Sequence, residues 1–129
     1  MEVAAKRVSG PLDGYYGLIC SFVNGSNYYF LGIGVDGWYG IGVKQTGMMR
    51  YLKEGNDQKG VILKADETNN LRAECAQGIL TLWVNDVQLA SVKDNTFSEG
   101  AIGVGVGNRQ DTGTEVVFSD LKVYEPEDQ

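Results

Sequence analysis

Four aromatic side chains, Tyr28, Phe30, Trp38 and Trp83, fall at positions that strand alternation turns away from the neighbouring apolar rows. Beside three of them the chain carries glycine, at Gly32, Gly34 and Gly40. An aromatic ring complements the apolar face of a pyranose, and glycine, lacking a Cβ, lets a ring come close to the backbone. Together these residues form the candidate ligand-binding set: Tyr28, Phe30, Gly32, Gly34, Trp38, Gly40 and Trp83. The same residues suit a second use, because outward aromatics beside glycine also cover exposed backbone or pack against another sheet or subunit.

Other chemistry is poorly supplied. The chain has no histidine, so neither a histidine base nor a histidine-completed zinc site can be built. Its two cysteines, Cys20 and Cys75, lack metal-type spacing. Both fall on inward strand positions, unsuited to a nucleophile; they form one disulfide between strands or stay as two buried thiols. Asp13, Asp111 and Asp120 are hard-oxygen groups of the type calcium takes, but their spacing matches no calcium loop, and no cofactor is expected. Asn24-Gly25-Ser26 fits a glycosylation acceptor, yet Asn-Gly between strands reads as a turn.

The elements that must hold these residues are strands. Short alternating apolar runs separated by Asn-Gly, Asp-Gly, Thr-Gly and Gln-Gly predict roughly ten strands and no helix, an all-β antiparallel two-sheet sandwich. The predicted strands are Glu2–Val8, Tyr15–Phe22, Tyr28–Val35, Trp38–Gln45, Met48–Lys53, Val61–Lys64, Leu71–Ala76, Ile79–Asn85, Val87–Lys93, Ala101–Gly107 and Glu115–Tyr124. A three-residue loop closed by Gly37 pairs Gly34 with Trp38, Ile33 with Tyr39 and Leu31 with Ile41. That register puts Tyr29, Leu31, Ile33, Tyr39, Ile41 and Val43 inward. It puts Tyr28, Phe30, Gly32, Gly34, Trp38, Gly40, Gly42 and Lys44 on the other side.

The same parity takes Tyr16, Leu18, Cys20 and Phe22 inward and leaves Tyr15, Gly17, Ile19 and Ser21 on the glycine face. Leu71, Ala73, Cys75, Leu80, Leu82, Val84, Ile102, Val104 and Val106 supply further inward rows, with Thr81, Trp83 and Asn85 outward. In the last strand Val116 and Phe118 point inward, and so must Leu121 and Val123. This requires a β-bulge near Ser119-Asp120.

At 129 residues the chain fits one domain, read as 1–124, followed by an acidic tail, 125–129. A formal charge of −6, with acidic residues gathered in Asp57–Glu67 and Glu125–Asp128, argues against nucleic acid as a partner. No run is apolar enough for a membrane span, and Met1–Lys6 lacks the regions of a signal peptide.

The segments Tyr16-Gly17-Leu18-Ile19-Cys20, Asn27-Tyr28-Tyr29-Phe30, Asp36-Gly37-Trp38-Tyr39, Leu71-Arg72-Ala73-Glu74-Cys75, Leu80-Thr81-Leu82-Trp83-Val84-Asn85-Asp86 and Phe118-Ser119-Asp120-Leu121-Lys122-Val123 together resemble the concanavalin A-like lectin/glucanase superfamily. They look most like bacterial jelly-roll modules of the laminin-G and DUF1080 type, which carry similar "LTLYVNG" and "FDDFRV" strands. The resemblance implies a jelly-roll sandwich, an extracellular or cell-envelope setting, and a non-catalytic module that binds carbohydrate or a cell surface.

Glycosidases of this superfamily carry Glu-x-Asp-x-x-Glu on one strand face, and that pattern is absent here. Glu67, Glu74, Asp111 and Glu115 read instead as solvated loop and edge charges, so no enzyme is expected. Such modules usually have extra strands ahead of the position of Glu2–Val8. A missing strand would leave an edge uncovered, and the second expectation is therefore a homo-oligomer formed through the glycine face or an open edge.

Overall fold

The alternating apolar runs fold as ten strands in a computed structural model that describes residues 1–9, 14–63, 67–108 and 114–123. In order these are β1 (Glu2–Ser9), β2 (Gly14–Asn24), β3 (Asn27–Gly34), β4 (Trp38–Gln45) and β5 (Met48–Asn56). They continue with β6 (Asn69–Ala76), β7 (Ile79–Val84), β8 (Val87–Lys93), β9 (Ala101–Asn108) and β10 (Glu115–Lys122). One sheet runs β10-β1-β6-β7-β8 and the other β5-β4-β3-β2-β9, with antiparallel pairing throughout. The described residues contain no helix.

The β3–β4 hairpin has the register that the side-chain pattern demands, Ile33 opposite Tyr39, Leu31 opposite Ile41 and Gly32 opposite Gly40. Its loop is closed by a hydrogen bond from the Gly37 amide to the Gly34 carbonyl, and Gly37 has φ of 98°, a conformation that side chains resist. Because the period of a strand is two, this one turn decides the face of every residue on both strands. Leu18, Leu31, Ile33, Ile41 and Val43 are all fully buried against Leu71, Leu82 and Val84 of the other sheet. Each such side chain contributes about 1.5–3 kcal/mol relative to exposure.

Cys20 on β2 is bonded to Cys75 on β6, so the alternative left open by the sequence resolves to a disulfide joining the two sheets across 55 residues of chain. Closing a loop of that length stabilises by about 4 kcal/mol in the chain-entropy account. The bulge in the last strand is also present. Ala4 pairs with Ser119 and Glu2 with Lys122, leaving an extra residue on β10, and Asp120 takes a φ of 56°. Val116 and Phe118 pack against the core as expected, but Leu121 and Val123 are 50% and 55% exposed, because they lie at the end of an edge strand.

Four further expectations need correction. Val61–Leu63 is not a strand: Ile62 is buried, but the local backbone is held by side chains instead of a ladder. Fully buried Asn69 accepts from the Leu63 amide at 2.8 Å and donates to the Leu63 carbonyl at 2.8 Å, while Asp57 accepts from the Ile62 amide at 2.8 Å. Asn85 does not point outward from β7; it occupies a turn with φ of 50° and donates to the Val61 carbonyl and to Asn69. Phe22 is not a core residue, because Ser21 has φ of 52° and the β2 register slips there, turning Phe22 out and Ser21 in. Ile102, Val104 and Val106 do take the inward parity, opposite Leu18 and Tyr16, but keep 41%, 38% and 50% exposure. Lys64, Tyr124 and the tail 125–129 lie outside the described residues.

Candidate functional site

On the outer face of the β5-β4-β3-β2-β9 sheet the register lines up glycine with glycine. Gly105 pairs with Gly17, Gly17 with Gly32, and Gly32 with Gly40, so a row of glycines crosses β9, β2, β3 and β4 perpendicular to the strands. At Gly17 the absence of a side chain is obligatory, since a Cβ would run into the backbone of Leu31 and Gly32 on the adjacent strand. Several others are roofed by side chains from the same face, while Gly105 is met by Ile19 and Gly103 is open. Phe30 lies over Gly32, Trp38 over Gly40 and Tyr15 over Gly107, while Tyr51 and Met49 cover Gly42.

The face is therefore paved, not bare. Trp38 is 7% exposed and Phe30 4%, although both project from the outside of the sheet. Trp38 stands between Tyr51 and Tyr15, with ring centroids 5.1 and 6.2 Å away, both edge-on; Tyr15 in turn meets Phe30 at 5.8 Å. The indole Nε1 donates to Glu54 Oε1 at 3.0 Å. Such aromatic pairs each add about 0.5–1.5 kcal/mol beyond their burial. Packing is thus the first use of these residues, because a sugar ring cannot stack on faces already covered.

What remains open lies around that pavement. Phe22 stacks on Tyr28 with centroids 5.8 Å apart and an interplanar angle of 28°. The Lys44 ammonium sits 5.6 Å from the Tyr28 ring centre. Phe22 is 37% exposed, and Tyr15, Tyr28 and Tyr51 are half-buried. This open set differs from the sequence-based one. Tyr28 belongs to it; Phe30 and Trp38 lie beneath, and Gly32, Gly34 and Gly40 are buried floor.

Trp83 does not join the others. It is on β7, in the opposite sheet, and turns to that sheet's outer surface, where the Arg72 guanidinium lies 4.1 Å from its ring centre. Outward parity alone cannot say which of two sheets a strand belongs to. Tyr51 and Met49 reach this face through the pairing of β5 with β4, which sets them beside Gly42 and Lys44; the alternation of β5 is their only signal in the sequence. Phe22 was hidden by the left-handed conformation at Ser21.

Two polar clusters pin the sandwich without joining this face. Tyr29 donates to Asp94 Oδ1 at 2.6 Å and accepts from the Phe97 amide, at the edge of a cleft of about 230 Å³ lined by Ser21, Cys75 and Gly78. Burial, and then the hydrogen bond to Asp94, raise the Tyr29 phenol above its ordinary value. Burial works to raise the Asp94 carboxyl as well, but hydrogen bonds from Thr96 and Tyr29 outweigh it and leave it lowered. Tyr16, raised chiefly by burial, accepts from Asn69 at 3.1 Å. Among the described residues no cluster of His, Cys, Asp or Glu could hold a metal. Asp120 is the bulge residue, and Asp13 and Asp111 lie outside the described residues. Asn24 forms a turn, its Oδ1 accepting from the Ser26 amide at 2.8 Å.

No protein-family model and no curated protein matches the chain in sequence. Solved structures of similar fold include a carbohydrate binding module, CBM66, from Bacillus subtilis, with TM-score 0.76 and 16% identity, spanning 91% of this chain and 68% of that one. Sheep galectin-11 in complex with glycerol superposes with TM-score 0.58 and 10% identity, over 90% of this chain and 86% of that one. A homodimeric agglutinin from chicken liver, CG-16, gives TM-score 0.59 and 10% identity, over 92% and 90%. The chain thus has the jelly-roll β-sandwich fold found in these lectins.

Proposed function

We propose that this chain is a non-catalytic, lectin-like module that binds carbohydrate on the outer face of the β5-β4-β3-β2-β9 sheet. The observation that carries the reading is the stacked pair of exposed Phe22 and half-buried Tyr28, with Lys44 against the Tyr28 ring. The pair offers an apolar platform for a sugar ring, and Lys44 a donor for its hydroxyls. Buried Phe30 and Trp38 cover Gly32 and Gly40 beside it, so the neighbouring surface is packed before a ligand arrives, which lowers the ordering cost of binding. Trp38 contributes as support and not as a stacking face.

The fold shared with a carbohydrate binding module and with galectins supports this reading, and so does the lack of a paired carboxylate motif. Assignment to the concanavalin A-like superfamily, nearest the laminin-G and DUF1080 modules, belongs to the same proposal. An oxidising, extracellular or envelope setting agrees with the inter-sheet disulfide.

Intrinsic tryptophan fluorescence titrated with the glycans that bind on a broad array tests the idea. Tyr28→Ala or Phe22→Ala should weaken binding about tenfold. No binding to any glycan, or binding indifferent to both substitutions, overturns it.

A further inference from the structure

Among the described residues the sandwich has four edge strands, and three are guarded against pairing with another chain. β5 carries Arg50, Lys53 and Glu54 and an extra residue at Leu52; β8 ends on Lys93 and has an extra residue at Leu89. β10 carries Glu115, Asp120 and Lys122 together with its bulge. Charges and bulges of this kind are how sheets prevent edge-to-edge association. β9, Ala-Ile-Gly-Val-Gly-Val-Gly-Asn, has no charge, no proline and no bulge of its own, since the slip in its pairing places the extra residue on β2. Among the described residues β2 is its sole ladder partner.

We propose that the free edge of β9 is a homodimer interface, in which β9 pairs antiparallel with β9 of a second copy about a two-fold axis through Val104. The sequence of the strand selects this occupant and this register. Two-fold pairing sets residue i against residue j with a constant sum, and centring it on Val104 puts Val104 opposite itself and Ile102 opposite Val106. Centring on Gly103 or Gly105 would leave Val106 opposite Gly100, or Ile102 opposite Asn108. The Val104 register alone gives all three inward apolar residues an apolar partner, and it sets Gly103 against Gly105 on the outer face.

This register also accounts for the residual exposure of Ile102, Val104 and Val106, which have the parity of the core but stand 41%, 38% and 50% exposed in a single chain. Their counterparts on the second copy would continue the apolar layer, and the two sheets would join into one of ten strands. The contact is isologous and closes at two copies. It involves neither Phe22 nor Tyr28, so it stands or falls separately from sugar binding.

Sedimentation equilibrium from low to high micromolar concentration should give a dimer. Val104→Lys sets two like charges on the axis, and the dissociation constant should rise about a hundredfold or more. Val104→Cys supplies an independent reading that does not depend on the tolerance of the lysine variant. Opposed Cα atoms in an antiparallel pair lie about 4.5–5.5 Å apart, within disulfide range. The native cysteines are already bonded to each other, so mild oxidation should yield a covalent dimer through the added thiol. A chain that stays monomeric at high micromolar concentration, or a folded Val104→Cys protein that does not cross-link, overturns the proposal.

Discussion

The two sheets present outer faces built on opposite plans. On the β5-β4-β3-β2-β9 sheet, volume comes from a few large rings lying on glycine, so that Trp38 and Phe30 are buried without an opposing sheet. On the β10-β1-β6-β7-β8 sheet, cover is local and polar. Arg72 spans the Trp83 ring, and Thr81 meets Ser91 across the β7–β8 pair at 3.0 Å. The difference teaches that outward parity and exposure are separate properties. A row of glycine creates space at the sheet surface, and that space makes an outward tryptophan part of a packed layer.

The strongest test of this contrast exchanges the two tryptophans for alanine. Trp38→Ala should cost about 3–5 kcal/mol of unfolding free energy, as for an aromatic removed from a core. Trp83→Ala should cost about 1 kcal/mol, the scale of a surface cation–π contact. Equal losses in denaturant unfolding would erase the distinction between the faces.

A second comparison separates glycines that are required from those that are merely present. Gly17→Ala drives a Cβ into the neighbouring strand and should destabilise by about 1–3 kcal/mol. At Gly103 a Cβ meets nothing within 4 Å, and Gly103→Ala should be neutral or stabilise by up to about 1 kcal/mol. A matching loss at both positions would show that flexibility, and not close approach, is what glycine supplies on this face.

The smallest expected effect concerns pH at the Tyr29–Asp94 cluster, which ties β3 to the segment after β8. The Asp94 carboxyl is lowered in the folded state, so its stabilising contribution is present above the ordinary carboxyl value near about 4 and is lost as pH falls through the folded value. Asp94→Asn should flatten the acid side of a plot of thermal midpoint against pH. Tyr29 and Tyr16 are raised, so their contribution is present below the ordinary phenol value near about 10 and is lost as pH rises through the folded values. An acid limb unchanged in Asp94→Asn would remove the carboxyl from this account.

Much of the fold was legible in the chain because its rules are local. Alternation identified the strands, and the Gly37 loop identified the register of β3 on β4. The apolar pattern after Phe118 required a bulge, and Asp120 supplies it, although Leu121 and Val123 stay 50% and 55% exposed and do not join the core. The candidate site was legible only in part. Its glycine floor and Tyr28 of its open rim came through, while Phe22 did not, because it reaches that rim through an unpatterned left-handed conformation at Ser21. Ile62 shows a related failure in the core, since an apolar residue whose amide is held by Asp57, and whose neighbour Leu63 is held by Asn69, resembles a short strand in sequence.

The sequence by itself determined which residues alternate, where the chain turns, and that glycines fall on one face of the β3–β4 hairpin, because each depends on residues a few positions apart. Tertiary structure alone decided that Gly105, Gly17, Gly32 and Gly40 align across four strands, that Trp83 belongs to the opposite sheet, and that Cys20 meets Cys75. Those outcomes depend on which strands pair and which sheets stack. Long-range register and burial set them, and no periodicity within a strand records either.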